Sequence, residues 1–214
     1  MSDKSENLLI VFVKNLIPGH VKTRLAEEIG IDGALDVYKF LVEHTYEVTN
    51  ELDCTKAVYY SEYVEIEDIW DTDEYGLFIQ KGPGLGERMH NAFDDAFEKK
   101  FKRVVLIGSD SFELKGEHIE DAFEQLEEHD VVIGPATDGG YYLIGLTKAY
   151  PQLFEGKKYG HKNVLSELLT EVANANASFS LLPELSDIDT LQDLKDSDID
   201  FEFVDPDDMD LGEI

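Results

Sequence analysis

The sequence has one cysteine, Cys54, in 214 residues. A single thiol excludes an intrachain disulfide and a thiolate metal cluster. Positive charge is also scarce: 18 Lys and Arg stand against 47 Asp and Glu, a formal net charge of -29. Such a surface repels polyanions, so nonspecific binding to nucleic acid or to an anionic membrane is not expected. Long hydrophobic runs are missing too. The longest, Leu8–Val13 and Val104–Ile107, have the length of buried strands and fall far short of a bilayer span. Met1–Asn7 is polar and carries acids, unlike a signal or transit peptide. Together these absences lead us to expect a cytoplasmic protein with no integral membrane segment; oligomeric state stays open.

What is present is an ordinary globular composition, 43% hydrophobic, in a length that suits one α/β domain. Apolar runs alternate with amphipathic stretches. Strands are expected over 8–13, 56–60, 77–80, 104–107, 131–133, 141–146 and 179–182. Helices are expected over 33–52, 87–99, 116–128, 163–172 and 191–194. The alternation predicts a three-layer sandwich on a mostly parallel, mixed sheet. We expect a domain over 1–195 and an acidic C-terminal extension over 196–214. From Asp193 onward ten acids face one base, Lys195. Within that tail 198–203 alternates acid and apolar and suits an edge strand, and disorder is expected beyond Pro206.

In an open α/β sheet, ligands bind beyond the carboxyl ends of the strands. Lys14, Gln80, Asp110 and Pro135 directly follow expected strands, so their loops should converge. The first loop carries Lys14, Lys22 and Arg24 around Pro18-Gly19, three cations in eleven residues of a strongly acidic chain. Backbone N–H groups and cations at a strand–helix junction attract phosphate. The loop lacks the Walker A spacing. The second loop alternates Gly82, Gly84 and Gly86 ahead of Arg88, which permits close approach of a flat base or sugar. The third is Gly108-Ser109-Asp110, with an acid where a cation bridging phosphates would be held. The fourth is Asp138-Gly139-Gly140-Tyr141, which suits either hydroxyl binding or an Asp-Gly turn. The fifth, Asp187-Ile188-Asp189-Thr190, pairs two acids before a short helix that Asp189 or Thr190 could cap.

Taken in order, these motifs resemble a known group. They are Val11-Phe-Val-Lys14 with Pro18-Gly19 and Lys22-Thr23-Arg24-Leu25, Gly84-Leu-Gly-Glu-Arg-Met89, Val105-Leu-Ile-Gly-Ser-Asp110, Gly134-Pro-Ala with Asp138-Gly-Gly-Tyr-Tyr-Leu-Ile-Gly-Leu146, and Asp187-Ile-Asp-Thr190. From Leu8 to Leu194 the chain is similar to the DUF2064 group of nucleotide-diphospho-sugar-transferase-like proteins, within the GT-A glycosyltransferase superfamily. The resemblance implies a Rossmann-like GT-A fold and a metal-dependent transferase, either glycosyl or nucleotidyl. Its partners would be a nucleotide or nucleotide-sugar donor and a small-molecule acceptor.

The resemblance also implies residue roles. Lys14, Lys22, Arg24, Asp110 and Asp138 would form the catalytic set. Pro18, Gly19, Thr23, Gly82, Gly84, Gly86, Arg88 and Ser109 would bind the nucleotide. Asp110 and Asp189 would hold Mg²⁺ or Mn²⁺. Gly139, Gly140 and Tyr141 would face the acceptor or sugar; His161 joins that set from this chain's own sequence, as a base or phosphate contact. The chain departs from the group's pattern at Ser111-Phe112, where Cys-Pro is usual, and at Tyr159-Gly160-His161, where Trp-Ser-Thr is usual. Those departures keep open an alternative, a nucleotide or nucleotide-sugar sensor that binds without turnover.

Overall fold

The computed structural model describes residues 6–197 and 199. The expected edge strand over 198–203, and the tail beyond it, lie outside the described residues. The elements run β1 (Asn7–Val13), α1 (Thr23–Asn50), β2 (Thr55–Tyr60), β3 (Tyr75–Ile79), α2 (Leu85–Glu98), β4 (Arg103–Ile107), α3 (Gly116–Gln125), β5 (Val131–Pro135), β6 (Tyr141–Leu146), α4 (Val164–Asn174), β7 (Phe179–Leu181) and α5 (Leu191–Asp196). One seven-stranded sheet has the order β3-β2-β1-β4-β6-β5-β7. Only β6 runs against its neighbours β4 and β5. The mixed, mostly parallel sheet is as expected.

Alternation along β1 separates the two layers of the core. Leu9, Val11 and Val13 face Tyr38 and Val42 of α1 and Ile119 and Phe123 of α3. Leu8, Ile10 and Phe12 face Met89 and Phe93 of α2 and Leu168 and Val172 of α4. A strand buried on both faces reads as a continuous apolar run, which is why LLIVFV identifies the centre of the sheet. Among the described residues, no helix is long and apolar enough to cross a membrane.

Helix α1 differs most from expectation. It starts at Thr23, ten residues before the expected start at Gly33, and bends at Gly30 (φ 83, ψ 163). The glycine reads as a break in the sequence. The first segment survives because Leu25 and Ile29, one turn apart, pack with Ile188 and Leu194. Thr23 and Arg24 therefore stand on a helix and not in the loop.

Candidate active site

The carboxyl ends of β1, β2, β3, β4 and β5 and the start of β6 share one edge of the sheet. A cavity of about 310 Å³ opens there. Phe12, Lys14, Gln80, Leu85 and Met89 line it together with Asp138, Tyr141, Tyr159 and His161, and Tyr141 Oη lies on Met89 Sδ (3.7 Å). Ser109, Asp110 and Asp187 line it too.

Beside the cavity Lys22 joins two acids. Its Nζ lies 3.1 Å from Asp110 Oδ1 and 3.0 Å from Asp189 Oδ1, and its side chain is only 3% exposed. Lys22 takes a left-handed backbone conformation (φ 45, ψ 47) at the head of α1, a strain of roughly 1 kcal/mol. Burial pulls the ammonium down, yet the carboxylates of Asp110 and Asp189 outweigh it and hold Lys22 protonated. Burial likewise pushes Asp110 up, but Lys22 and then Lys14 hold it below the ordinary carboxylate range. Among the described residues Asp187 has no ion-pair partner. Burial, then Asp110, and more weakly Asp138 and Asp189, push its carboxyl up to about 7 against the pull of Lys22.

Local bonding explains why these acids meet. Ile188 N–H donates to Asp110 C=O (3.1 Å). Buried Ser111 donates its hydroxyl to Ser186 C=O (2.9 Å), and Ser186 N–H donates to Glu113 Oε2 (2.7 Å). The β4 loop is thereby stitched to the segment before α5, and the departure at Ser111 contributes one of the stitches. Thr190 caps α5 by accepting from Asp193 N–H (3.2 Å). Asp193 Oδ2 accepts in return from Thr190 and Asp189 N–H. The cap is Thr190, so the Asp189 carboxylate is left for Lys22. Underneath, Tyr38 Oη takes Lys14 N–H (2.8 Å) and shares a hydrogen bond with Ser109 Oγ (2.9 Å).

Of the expected site residues, Lys14, Ser109, Asp110, Asp138, Gly140, Tyr141 and His161 line the cavity. Lys22 and Asp189 meet Asp110 beside it. Pro18, Gly19, Thr23, Arg24, Gly82, Gly84 and Gly139 lie outside the lining. Two residues of the second loop have internal roles. Gly86 is inside α2, where a Cβ would come within 2.5 Å of Phe154 C=O. Arg88 is also on α2, and its guanidinium donates to Gly82 C=O, Ser61 C=O and Gln80 Oε1. Gln80 Nε2 in turn donates to Val13 and Tyr59 carbonyls. Arg88 and Gln80 thus tie together the ends of β1, β2 and β3, and Arg88 braces the glycine loop from behind. Asp187, the first acid of the D-x-D pair, lines the cavity although the second was expected to do the chemistry. Its spacing marked the pair, but only the fold distinguishes the two members.

A family model described as an uncharacterized protein conserved in bacteria, DUF2064, matches residues 45–161. This chain belongs to the DUF2064 family. A crystal structure from Desulfovibrio desulfuricans G20 shares 34% identity with this DUF2064 chain at a TM-score of 0.81, covering 88% of this chain and 84% of that one. That protein's own assignment as a nucleotide-diphospho-sugar transferase is provisional. More distant structures share the fold. The inositol-1-phosphate CTP transferase of T. maritima is 13% identical at a TM-score of 0.54, covering 90% of this chain and 93% of its own. The 4-diphosphocytidyl-2C-methyl-D-erythritol synthase of Anaerococcus prevotii DSM 20548 is 8% identical at 0.55, covering 90% and 96%. No curated protein matches the sequence.

Proposed function

We propose that this DUF2064 chain is a transferase that takes a nucleotide or nucleotide-sugar donor and needs Mg²⁺ or Mn²⁺. The observation that carries the reading is the junction of Lys22 with Asp110 and Asp189, beside Asp187, at the carboxyl edge of the sheet. The donor class named for the Desulfovibrio relative supports it.

Among the described residues, no three His, Cys, Asp or Glu are close enough to form a ready cation cage. That is compatible with Mg²⁺, which takes one or two protein carboxylates and fills its shell with water and phosphate oxygens. Asp110 and Asp189 offer two hard oxygens, already neutralised by an ammonium at 3.1 and 3.0 Å. The residues therefore fit the cation on condition that Lys22 gives way. When bound, the cation would supply neutralisation of the donor's phosphate charge. Lys14 lines the cavity and would contact the phosphates, and Lys22 would swing from carboxylate to phosphate. Tyr38 and Ser109 hold the β1 and β4 loops at fixed separation, so donor and acceptor meet in a preset geometry. Either an acceptor oxygen attacks the α-phosphorus of a nucleoside triphosphate and pyrophosphate leaves, or it attacks the sugar carbon of a nucleotide sugar and the nucleoside diphosphate leaves.

Calorimetric titration of CTP, GTP, UTP, ATP and nucleotide sugars, with and without Mn²⁺, tests the reading. Metal-dependent binding of one class is expected, and its loss in Asp110→Ala. Lys22→Met should bind Mn²⁺ without nucleotide about tenfold more tightly than wild type, a change of about 1.4 kcal/mol, while binding the nucleotide less well. Folded wild-type protein that binds none of these ligands would overturn the proposal.

A further inference from the structure

Tyr159, Gly160 and His161 of the cavity lining belong to a strap, residues 154–163, that leads into α4. Gly156 (φ 66) and Gly160 (φ 78) give the strap two left-handed turns. Its far end is seated on the turn before β6. Gly139 (φ 88) lies so close that a Cβ there would collide with the Lys162 carbonyl, and Leu165 N–H donates to Gly139 C=O (2.9 Å). This contact sets Asp138 and His161, the residues on either side of it, on one rim of the cavity.

Both side chains have one atom already engaged. His161 Nδ1 accepts Asn163 N–H (3.3 Å). An imidazole that accepts at Nδ1 carries its proton, when neutral, on Nε2. Asp138 Oδ1 accepts Gly140 N–H (2.7 Å), which leaves Oδ2. The rim thus presents one N–H donor beside one carboxylate acceptor.

We propose that Asp138 and His161 form a donor–acceptor pair that recognises the hydroxyls of an uncharged acceptor, a sugar or polyol. This rests on reading the cavity as the site of a nucleotide-dependent transferase. A hydroxyl donates one hydrogen bond and accepts others, so neighbouring hydroxyls can satisfy both members of the pair. Tyr141 and Tyr159 supply ring surface beside them, as suits the apolar face of a sugar. An anion would instead meet the Asp138 carboxylate in the cavity lining. The nearby cations Lys158 and Lys162 are exposed and stand outside the cavity lining. The departure at Tyr159-Gly160-His161 is then the element that selects the acceptor.

Two measurements test the pair. Long-range ¹⁵N correlation on nucleotide-free protein, assigned with His161→Gln, should show the neutral imidazole as the Nε2–H tautomer. An Nδ1–H tautomer would overturn the proposal whatever becomes of the transferase reading. Titration of nucleotide- and Mn²⁺-loaded protein with glucose, myo-inositol and glycerol, beside their monophosphates, tests the ligand class. We expect a neutral polyol to bind, His161→Leu and Asp138→Asn each to weaken it about tenfold, and His161→Gln, which keeps a donor, to stay within about threefold. Binding by the phosphates alone, or equal affinity in the Leu and Gln variants, would overturn it. Nucleotide affinity is measured separately in each sample; its absence from wild type would remove the transferase reading and this proposal with it, whereas nucleotide bound with no polyol response would remove this proposal alone.

Discussion

Asp187 and Asp110 share one wall of the cavity, and their environments drive them apart. Asp110 has Lys22 and is held below the ordinary range. Asp187 is raised to about 7, first by burial and then by the charge of Asp110, with Asp138 and Asp189 adding to it. The two leave opposite marks on stability. An unfolded Asp releases its proton near pH 4. Between about 4 and 7 the folded chain keeps a proton on Asp187 that the unfolded chain has lost. Asp187 therefore makes stability fall as pH rises through that window and leaves it level above. Asp110 contributes stability that is present above the usual carboxylate range and is lost as pH falls through its depressed value. Urea denaturation at pH 5 and pH 8 should find Asp187→Asn stabilised relative to wild type at pH 8, and by less at pH 5. Mg²⁺ should stabilise wild type more at pH 8, where Asp187, beside the Asp110 and Asp189 carboxylates, is ionised as well. Equal differences between the two proteins at both pH values would show that Asp187 is not perturbed in this way.

Helix α2 carries the glycine motif, and its contribution is packing against a neighbouring element. Gly86 lies on the Phe154 carbonyl and the Tyr159 ring, so the helix reaches the strap that bears Tyr159 and His161. Gly86→Ala must push helix and strap apart, at about 2 kcal/mol by analogy with overpacked cores. Urea denaturation would read that loss, and the cavity lining at Tyr159 should loosen with it. An Ala variant as stable as wild type would mean that the strap yields freely. Most elements were legible because burial on a sheet or helix face leaves a period in the chain. The strands at 8–13, 104–107 and 141–146 appear within a residue of their expected bounds. The first turns of α1 were not legible, since Gly30 interrupts the period and Leu25 and Ile29 are held by residues more than 150 positions away. The loops gave the residue types of the site but not their partners. Lys22 meets Asp189 across 167 positions, and Arg88, expected at a nucleotide, is engaged by Ser61, Gly82 and Gln80. Such distinctions depend on which loops the sheet order brings together.

At the scale of the whole molecule, a net charge of -29 on 214 residues makes self-repulsion a standing cost of the compact state. Most ion pairs of the described residues are exposed on at least one side and offset little of it. The Lys22 pair differs, because its ammonium is buried and is screened far less by salt. Raising NaCl from about 0.1 to about 1 M shortens the screening length from roughly 10 Å to roughly 3 Å. Repulsion spread over the surface should weaken, and the thermal midpoint should rise by about 4 °C or more, which corresponds to at least about 1 kcal/mol for a chain of this size. On the proposed function, in which Lys14 and Lys22 hold the donor phosphates, the same salt should weaken nucleotide binding. Folding and donor binding should thus respond to salt in opposite directions. A thermal midpoint that falls with salt would mean that attractive pairs outweigh the surplus of acids. A donor affinity that holds constant while the midpoint rises would mean that the phosphates are not held by these lysines.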